Sequence, residues 1–358
     1  MKKLILVTLI LCLLPLVALL LIPSPIDAVA FQPAPAMPWS GPLTVNRELD
    51  ATTLLAAADI LGAEDVDVDA QGRIYGATAD GRIVRINKNG ATETLAQTGG
   101  RPLGLHWDAE GNLIICDAFK GLLALSPAGE LKTLLTEVDG IELMFPDDLE
   151  IASNGIIYFT DASIKHDQHH YMLDMLEARP WGRLIAYDPV AGTAHTVLDN
   201  LYFANGVAIS KDQDFVLVNE TYRYRITRYW INGPRQGESE VFIDSLPGFP
   251  DGISSSGRGT FWVALPTVRN PHADFMHPFP FLKNLVAKLP DSAKPKPAPY
   301  GLILELDEDG NVIRSLHDPD GDNFPFITSV QEAGGSLYLG TLTGKGVGVI
   351  SADNDTRQ

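Results

Sequence analysis

The chain has 358 residues, 27 Lys+Arg against 45 Asp+Glu, a formal charge of −18 and 45% hydrophobic residues. That is enough apolar chain for a large core and too much for disorder, and the acid excess leaves no basic stripe for nucleic acid. Two cysteines exclude a disulfide framework and a Cys-based zinc site, and 32 Gly with 25 Pro favour turns over long helices.

In chain order, Lys2 and Lys3 precede an uncharged apolar run, Leu4 to Ile22, of 19 residues. A bilayer-spanning helix needs roughly 20. Lysines before the run put the N-terminus in the cytoplasm and everything after it outside. A signal-peptide core is shorter, about 7–15 residues, yet Ala28-Val29-Ala30 is an acceptable small-x-small cleavage site. Residues 1–22 therefore read as a signal anchor or as a signal peptide cleaved after Ala30. The first leaves the protein membrane-anchored with its bulk periplasmic or extracellular; the second leaves it secreted. Cys12 lies in the run, so the exported part holds one thiol, Cys116. Residues 23–47, with Pro23, Pro25, Pro33, Pro35, Pro38 and Pro42, read as an extended tether.

From there the chain repeats one unit six times: an alternating strand, a polar Gly or Asp turn, and a second strand with an aromatic. The units start near Glu64, Leu103, Asp148, Asn205, Asp251 and Ile327, spaced 39, 45, 57, 46 and 76 residues apart. Third strands follow, such as 81–86, 121–126, 182–187 and 226–231, and fourth strands at 93–98 and 132–137. Period-2 alternation predicts strands throughout. Four short antiparallel strands per unit predict an all-β fold, a six-bladed β-propeller with four-stranded blades over 48–352, followed by a tail at 353–358. A β-sandwich or parallel β-helix is the competing reading. The two long gaps predict insertions around His166–Trp181 and Arg269–Tyr300.

The first strand of each propeller blade lines the channel, so the unit starts should converge at one mouth. They carry Glu64-Asp65, Asp147-Asp148, Asn205 and Asp251. Crowded carboxylates repel unless a cation neutralises them, and their hard oxygens suit Ca²⁺ better than zinc or copper. The bland alternative is that Asp and Asn simply make turns before strands.

Several stretches carry a family resemblance: FPDDLEIASNGIIYFTDAS (145–163), YFANGVAIS (202–210), NETYRYRITRYWINGPRQG (219–237) and LPGFPDGI (246–253), with YMLDMLEARPWGRLIAYDP (171–189) and KPKPAPYGLILELDEDG (294–310). Over about 50–350 the chain resembles the strictosidine synthase-like, adipocyte plasma membrane-associated protein-like family. The wider superfamily holds gluconolactonase-type and paraoxonase-type hydrolases, six-bladed propellers with calcium in the channel. The resemblance implies Glu64, Asn205 and Asp251 as ligands of a catalytic Ca²⁺, with Asp147 where the hydrolases usually have Asn. It implies a second, structural ion through Asp65 and Asp148. Two positions depart from the pattern. Leu103 stands where paraoxonases have a channel histidine, and Thr328 where strictosidine synthases have their catalytic Glu, which argues against alkaloid condensation.

These residues suggest a calcium-dependent hydrolase of lactones or aryl esters, with Asp251 as base or nucleophile and Glu64 beside it. The other class is a non-catalytic, membrane-tethered propeller that binds a small ligand or a protein. Elsewhere, His166, His169 and His170 read as a solvated loop. His272, His277, Phe275, Phe279, Phe281, Leu282, Leu285 and Leu289 lie in an apolar, partly helical insertion that either packs on the propeller, closes over the channel or rests on a membrane. Met172, Met175 and Leu176 have helical spacing and read as packing, as do Arg223, Arg225 and Arg228. Glu220 is a candidate channel residue. Asn219-Glu-Thr matches a glycosylation sequon but falls in a strand.

Overall fold

Alternating apolar residues form strands that pair antiparallel with their chain neighbours, and after every fourth strand the chain steps sideways to begin a new sheet. The computed structural model describes residues 20–87 and 90–352. Among these, six four-stranded sheets make the predicted propeller. Their first strands, in order, are Val66–Val68, Pro102–Trp107, Pro146–Ile151, Ala204–Ile209, Ile253–Ser255 and Ile327–Ala333.

Ring closure comes from the far end of the chain. Blade 6 takes its outermost strand from Thr53–Leu55, which pairs antiparallel with Val347–Ser351, Thr53 opposite Val349. The apolar residues between blades form successive clusters around the ring. Examples are Tyr75, Leu105 and Ile115 between blades 1 and 2, and Trp262, Ile303 and Leu339 between blades 5 and 6.

Both insertions are present, each between the second and third strands of its blade. The first holds helix α1 (Tyr171–Glu177); the second holds α2 (Pro271–Met276) and α3 (Pro280–Ala287). In a four-stranded blade that loop lies on the same face as the loop entering the first strand, so both insertions cap the predicted mouth. They pack on each other through Leu176, Ala287, Met172 and Val286, with Ile26 of the N-terminal segment in the same cluster.

Residues 23–47 are largely extended, as their prolines dictate, with one 3-10 turn at Gly41–Leu43, but they do not hang free. Val29 N–H donates to Glu177 O, Phe31 N–H to His277 O and Met37 N–H to Ser245 O, at 3.0, 3.0 and 2.9 Å. Ser315 Oγ donates to Pro42 O at 2.8 Å. The segment is a strap from the cap to the outer strands of blades 4 and 5. Glu177 holds the cap end. It accepts from Lys165 Nζ (2.6 Å), Asp27 N–H (2.8 Å) and Trp181 Nε1 (3.0 Å), and pairs with His166 Nε2 (2.8 Å). His166 is thus a buried clasp and not a solvated loop residue.

The apolar run up to Leu19 and the tail 353–358 lie outside the described residues. Among the described residues no helix is long and apolar enough to cross a membrane.

Candidate functional site

The channel end of each blade begins with a dislocation in the strand pairing. In blades 2, 3, 4 and 6 the register slips between Pro102 and Leu105, Pro146 and Leu149, Ala204 and Val207, and Ile327 and Val330. Two residues in each blade are therefore left out of the ladder, and such bulges re-aim side chains. In blades 1 and 5 the same two places are held by Glu64 N–H to Ala77 O and Asp251 N–H to Ala264 O, at 3.1 and 2.9 Å.

The first bulge residues, read around the ring, are Glu64, Leu103, Asp147, Asn205, Asp251 and Thr328. The second are Asp65, Gly104, Asp148, Gly206, Gly252 and Ser329. The glycines are a packing requirement. A Cβ at Gly252 would lie 2.5 Å from Thr328 O, and one at Gly104 the same distance from Asp148 Oδ1. Neighbouring blades can approach this closely only without a side chain there.

Of the first set, Glu64, Asp147, Asn205 and Asp251 lie within reach of one another. The Asn205 amide donates to Asp251 Oδ1. Burial pushes the Glu64 carboxyl well above its usual range, and the charges of Asp251 and Asp147 add to that. Asp147 is raised in the same way, by burial and then by Asp251. Burial lifts Asp251 to about 7, opposed by the Asn205 hydrogen bond. One participant was missed from sequence. Arg101 is buried and lowers the pKa of both Glu64 and Asp147; its Nη1 donates to Gly62 O at 3.1 Å. Its only sequence signal is its place two residues before a unit start.

Three carboxylates and one guanidinium leave −2 when all are ionised, the charge a calcium ion balances. The donor set is all oxygen, which also fits calcium. Among the described residues, however, no three His, Cys, Asp or Glu side chains close on one point in ligand geometry. The fit is therefore one of donor chemistry and charge.

The second set behaves differently. Asp65 Oδ2 accepts from Leu105 N–H of the next blade (3.0 Å) and Oδ1 from Val66 N–H (2.8 Å). Asp148 Oδ2 accepts from Val207 N–H of the next blade (2.9 Å) and Oδ1 from Leu149 N–H (2.8 Å). Both carboxylates staple one blade to the next; burial nonetheless raises both, Asp65 to about 7 and Asp148 well above its usual range, where the charge of Asp65 adds to burial.

Above the mouth lies an apolar roof. Leu103, Phe145, Phe203 and Tyr222 cluster with Met175 of α1 and Phe249. Phe145, Phe203 and Phe249 precede the first strands of blades 3, 4 and 5, which fixes them on the mouth face. Asp251 and Asp147 both act electrostatically on the buried Tyr222 phenol, so it lies close over the ring. Its hydroxyl donates to Tyr171 O at 3.0 Å, which makes Tyr222 a wall.

Farther down the first strands, the fourth place of each unit holds Asp67, His106, Glu150, Ala208, Ser254 and Gln331. A polar cavity of about 30 Å³ opens here, room for about two waters. His106 Nε2 stands 3.1 Å from Glu150 Oε1, and Nδ1 stands 3.5 Å from Asp67 Oδ2. Burial lowers the His106 pKa, but Glu150 and Asp67 outweigh that and raise it. Aligning the six units would have found this ring.

Other sequence candidates fall elsewhere. Glu220 is buried against Arg225 (2.7 Å) and Thr227 Oγ1 (2.6 Å), not in the channel. Asn219 is fully buried, which removes the sequon from use. Arg223 stacks between Phe31 and Tyr202 at 3.7 and 3.5 Å. His277 is buried on Tyr224 (3.2 Å) and held down to about 3 by burial and nearby cations. Thr328 Oγ1 donates to Glu64 O at 2.6 Å and offers no acid.

This arrangement is that of a six-bladed propeller with its first strands around the channel. A gluconolactonase of Xanthomonas campestris superposes with a TM-score of 0.61 at 16% identity, covering 92% of this chain and 99% of that one. A calcium-binding protein, regucalcin, from Agrobacterium tumefaciens gives 0.58 at 16% identity, covering 86% and 93%. At such identities the likeness is one of fold. Sequence similarity goes further. The strictosidine synthase family model matches residues 147–234, and that for the strictosidine synthase-like N-terminal region matches 41–86. Adipocyte plasma membrane-associated protein of Homo sapiens is 38% identical over 91% of this chain and 83% of its own length. The Arabidopsis thaliana strictosidine synthase-like protein 6 is 36% identical over 84% and 82%. The chain belongs to the strictosidine synthase-like family that includes the adipocyte plasma membrane-associated proteins.

Proposed function

We propose that this protein is a calcium-dependent hydrolase of lactones or aryl esters, held at a membrane by its N-terminal run with the propeller outside the cytoplasm. The carrying observation is the ring at the mouth: four oxygen-bearing residues from four blades, at equivalent bulge positions, under an apolar roof. Glu64, Asp147, Asn205 and Asp251 would hold the calcium. When bound, it supplies Lewis-acid polarisation of the carbonyl and charge for the developing oxyanion.

The chain's own residues do the rest. Asp251, lifted toward neutrality by burial, takes a proton from water or attacks the carbonyl directly. Glu64 and Asp147 keep the mouth anionic, and Asn205 orients Asp251 through its amide. The roof of Leu103, Phe145, Phe203 and Tyr222 excludes water and receives the apolar part of an ester.

The membrane part rests on the apolar run. It is supported by relatives whose name is plasma membrane-associated. Cleavage after Ala30 would also remove Ile26, Asp27 and Val29, which are built into the cap; this supports a retained segment.

A second reading, a non-catalytic propeller that binds a small ligand or a protein, is favoured by Leu103 and Thr328, neither of which supplies an acid or base. One experiment separates the two. The full chain is assayed on lactones and aryl esters with calcium or chelator, as wild type and as Asp251→Ala. Hydrolysis lost in both treatments is expected. Hydrolysis that survives both rejects the mechanism, and no turnover by calcium-loaded wild type leaves the binding reading.

A further inference from the structure

The cap is built inside out for a surface that faces water. On α3, Lys283 and Ala287 are buried, while Phe281 on the other side is 63% exposed. The Lys283 ammonium is spent on Val29 O of the strap. At the junction of α2 and α3, His277 is buried while Phe275 and Phe279 are 67% and 46% exposed, their rings 5.5 Å apart. Soluble surfaces keep lysine out and phenylalanine in. Three exposed phenylalanines within seven residues, beside a buried lysine and histidine, are the reverse.

The chain itself indicates what lies against this face. The apolar run Leu4–Ile22 ends in Leu20, Leu21 and Ile22, all exposed. Two residues later, Ser24 Oγ donates to Asn284 Oδ1 of α3 at 2.6 Å. Asn284 is three residues from Phe281, hence a neighbour of it on the helix surface. Ile26 then enters the cap core. The run thus leaves the folded domain beside the exposed phenylalanines, with one residue, Pro23, between Ile22 and the attachment at Ser24. Whatever solvent the run enters begins next to that face.

We propose that the face formed by Phe275, Phe279 and Phe281 rests on the lipid bilayer entered by the N-terminal run, so that the cap is a second, interfacial contact with the membrane. Aromatic side chains on short amphipathic helices bury themselves at the headgroup boundary in this way. The propeller is then fixed in orientation, with its capped mouth toward the membrane and the loops joining third and fourth strands away from it. This rests on the membrane part of the proposed function and not on hydrolysis.

The test uses the full chain in phosphatidylcholine–phosphatidylglycerol vesicles, in a Cys12→Ser background that leaves only the buried Cys116. A nitroxide is attached at Phe281→Cys, and in a separate variant at Val190→Cys, which sits 96% exposed in the turn between the third and fourth strands of blade 3. Collision rates with oxygen and with a water-soluble nickel chelate are compared. The label at 281 should favour oxygen over nickel several-fold more than the label at 190. Equal nickel access at both sites overturns the proposal. Protection of 281 from both reagents, with spin–spin coupling between copies, also overturns it, in favour of a protein partner. Vesicle flotation of the same samples reports the run independently: protein that floats with 281 open to nickel is anchored but not docked. Both labelled positions are exposed, so folding is checked simply by matching unfolding temperatures to the parent.

Discussion

Asp147 and Asp148 are the same amino acid, adjacent in one strand, and they are put to different uses. Asp148 gives both oxygens to backbone N–H groups, one in its own blade and one in the next. The Asp147 carboxylate has no hydrogen-bond donor among the described residues; it has a buried guanidinium nearby and the charge of Asp251 against it. The same division separates Asp65 from Glu64. One ring of the channel is satisfied by backbone hydrogen bonds and holds blades together; the ring one residue earlier lacks those donors and is frustrated, while burial and mutual charge raise the carboxyls of both. The bulge produces this difference, because it turns consecutive side chains in directions a regular strand would not.

Substitution at the frustrated ring should therefore cost activity, and substitution at the satisfied ring should cost stability. The largest expected effect is Asp251→Ala, with kcat/KM for a lactone or aryl ester falling by about 10²–10⁴-fold, the usual contribution of a positioned base. Its unfolding midpoint in urea should be no lower than wild type at neutral pH, since a partly buried, crowded charge is removed. A clear drop in that midpoint would assign Asp251 to the scaffold.

Asp148→Ala should do the opposite. Two bonds from backbone N–H groups are lost and both donors are left without a partner, one of the bonds bridging blades 3 and 4, for about 3 kcal/mol of unfolding free energy. Wild-type stability in urea would return Asp148 to the list of metal ligands. Glu177→Ala tests a third kind of carboxylate, one satisfied by many donors outside the channel. Burial alone would raise its pKa, but Lys165, His166, Asp27 N–H and Trp181 outweigh it and hold it at about 2. Loss of this hub should cost about 2–3 kcal/mol, less than a fully enclosed pair because Lys165 can rehydrate. Hydrogen exchange should rise first in the strap at residues 26–31 and in α3. Uniform loss of protection over all six blades would mean that the cap is no separate unit.

Much of this was legible in the sequence, and the exceptions share a cause. The six units, the four oxygen donors and the two insertions show in local patterning, because alternation and turn residues act over a few positions. The closing strand Thr53–Leu55 does not. Three residues pair with a segment almost 300 positions later, and nothing local marks them. The strap has the same problem: its prolines predict extension, but its partners Glu177, His277 and Ser245 belong to distant parts of the chain. The family resemblance alone implies Asp65 and Asp148 as ligands of a second ion; that their oxygens reach the next blade's backbone depends on the bulge. His106 was overlooked for a simpler reason. It sits at the fourth place of its unit, and only reading the units in parallel sets it beside Asp67 and Glu150.

The smallest effect, and the one that most directly separates the two rings, is the pH dependence of calcium's stabilisation. Asp251 has a folded pKa of about 7 against an ordinary value of 3.8, and Glu64 and Asp147 are raised as well. A carboxyl raised on folding favours the folded state fully below its unfolded pKa, and that contribution is lost as pH rises through the folded value. Between pH 4 and 7, then, the mouth ring, together with the raised Asp65 and Asp148, weakens the fold progressively as it ionises. Calcium held by the ionised ring, as proposed, should restore what is lost, adding RT ln(1 + [Ca²⁺]/Kd), or about 1.4 kcal/mol at a tenfold excess over Kd. At pH 5 protons hold the same oxygens, and the gain should shrink toward zero. Thermal unfolding with calcium or chelator at pH 8 and pH 5 reads this directly. The larger shift at pH 8 should vanish in Asp251→Ala and persist in Asp148→Asn, which keeps one acceptor oxygen for the blade contact. A shift that is lost in Asp148→Asn but kept in Asp251→Ala would move the cation from the frustrated ring to the satisfied one and reverse the roles of the two aspartates.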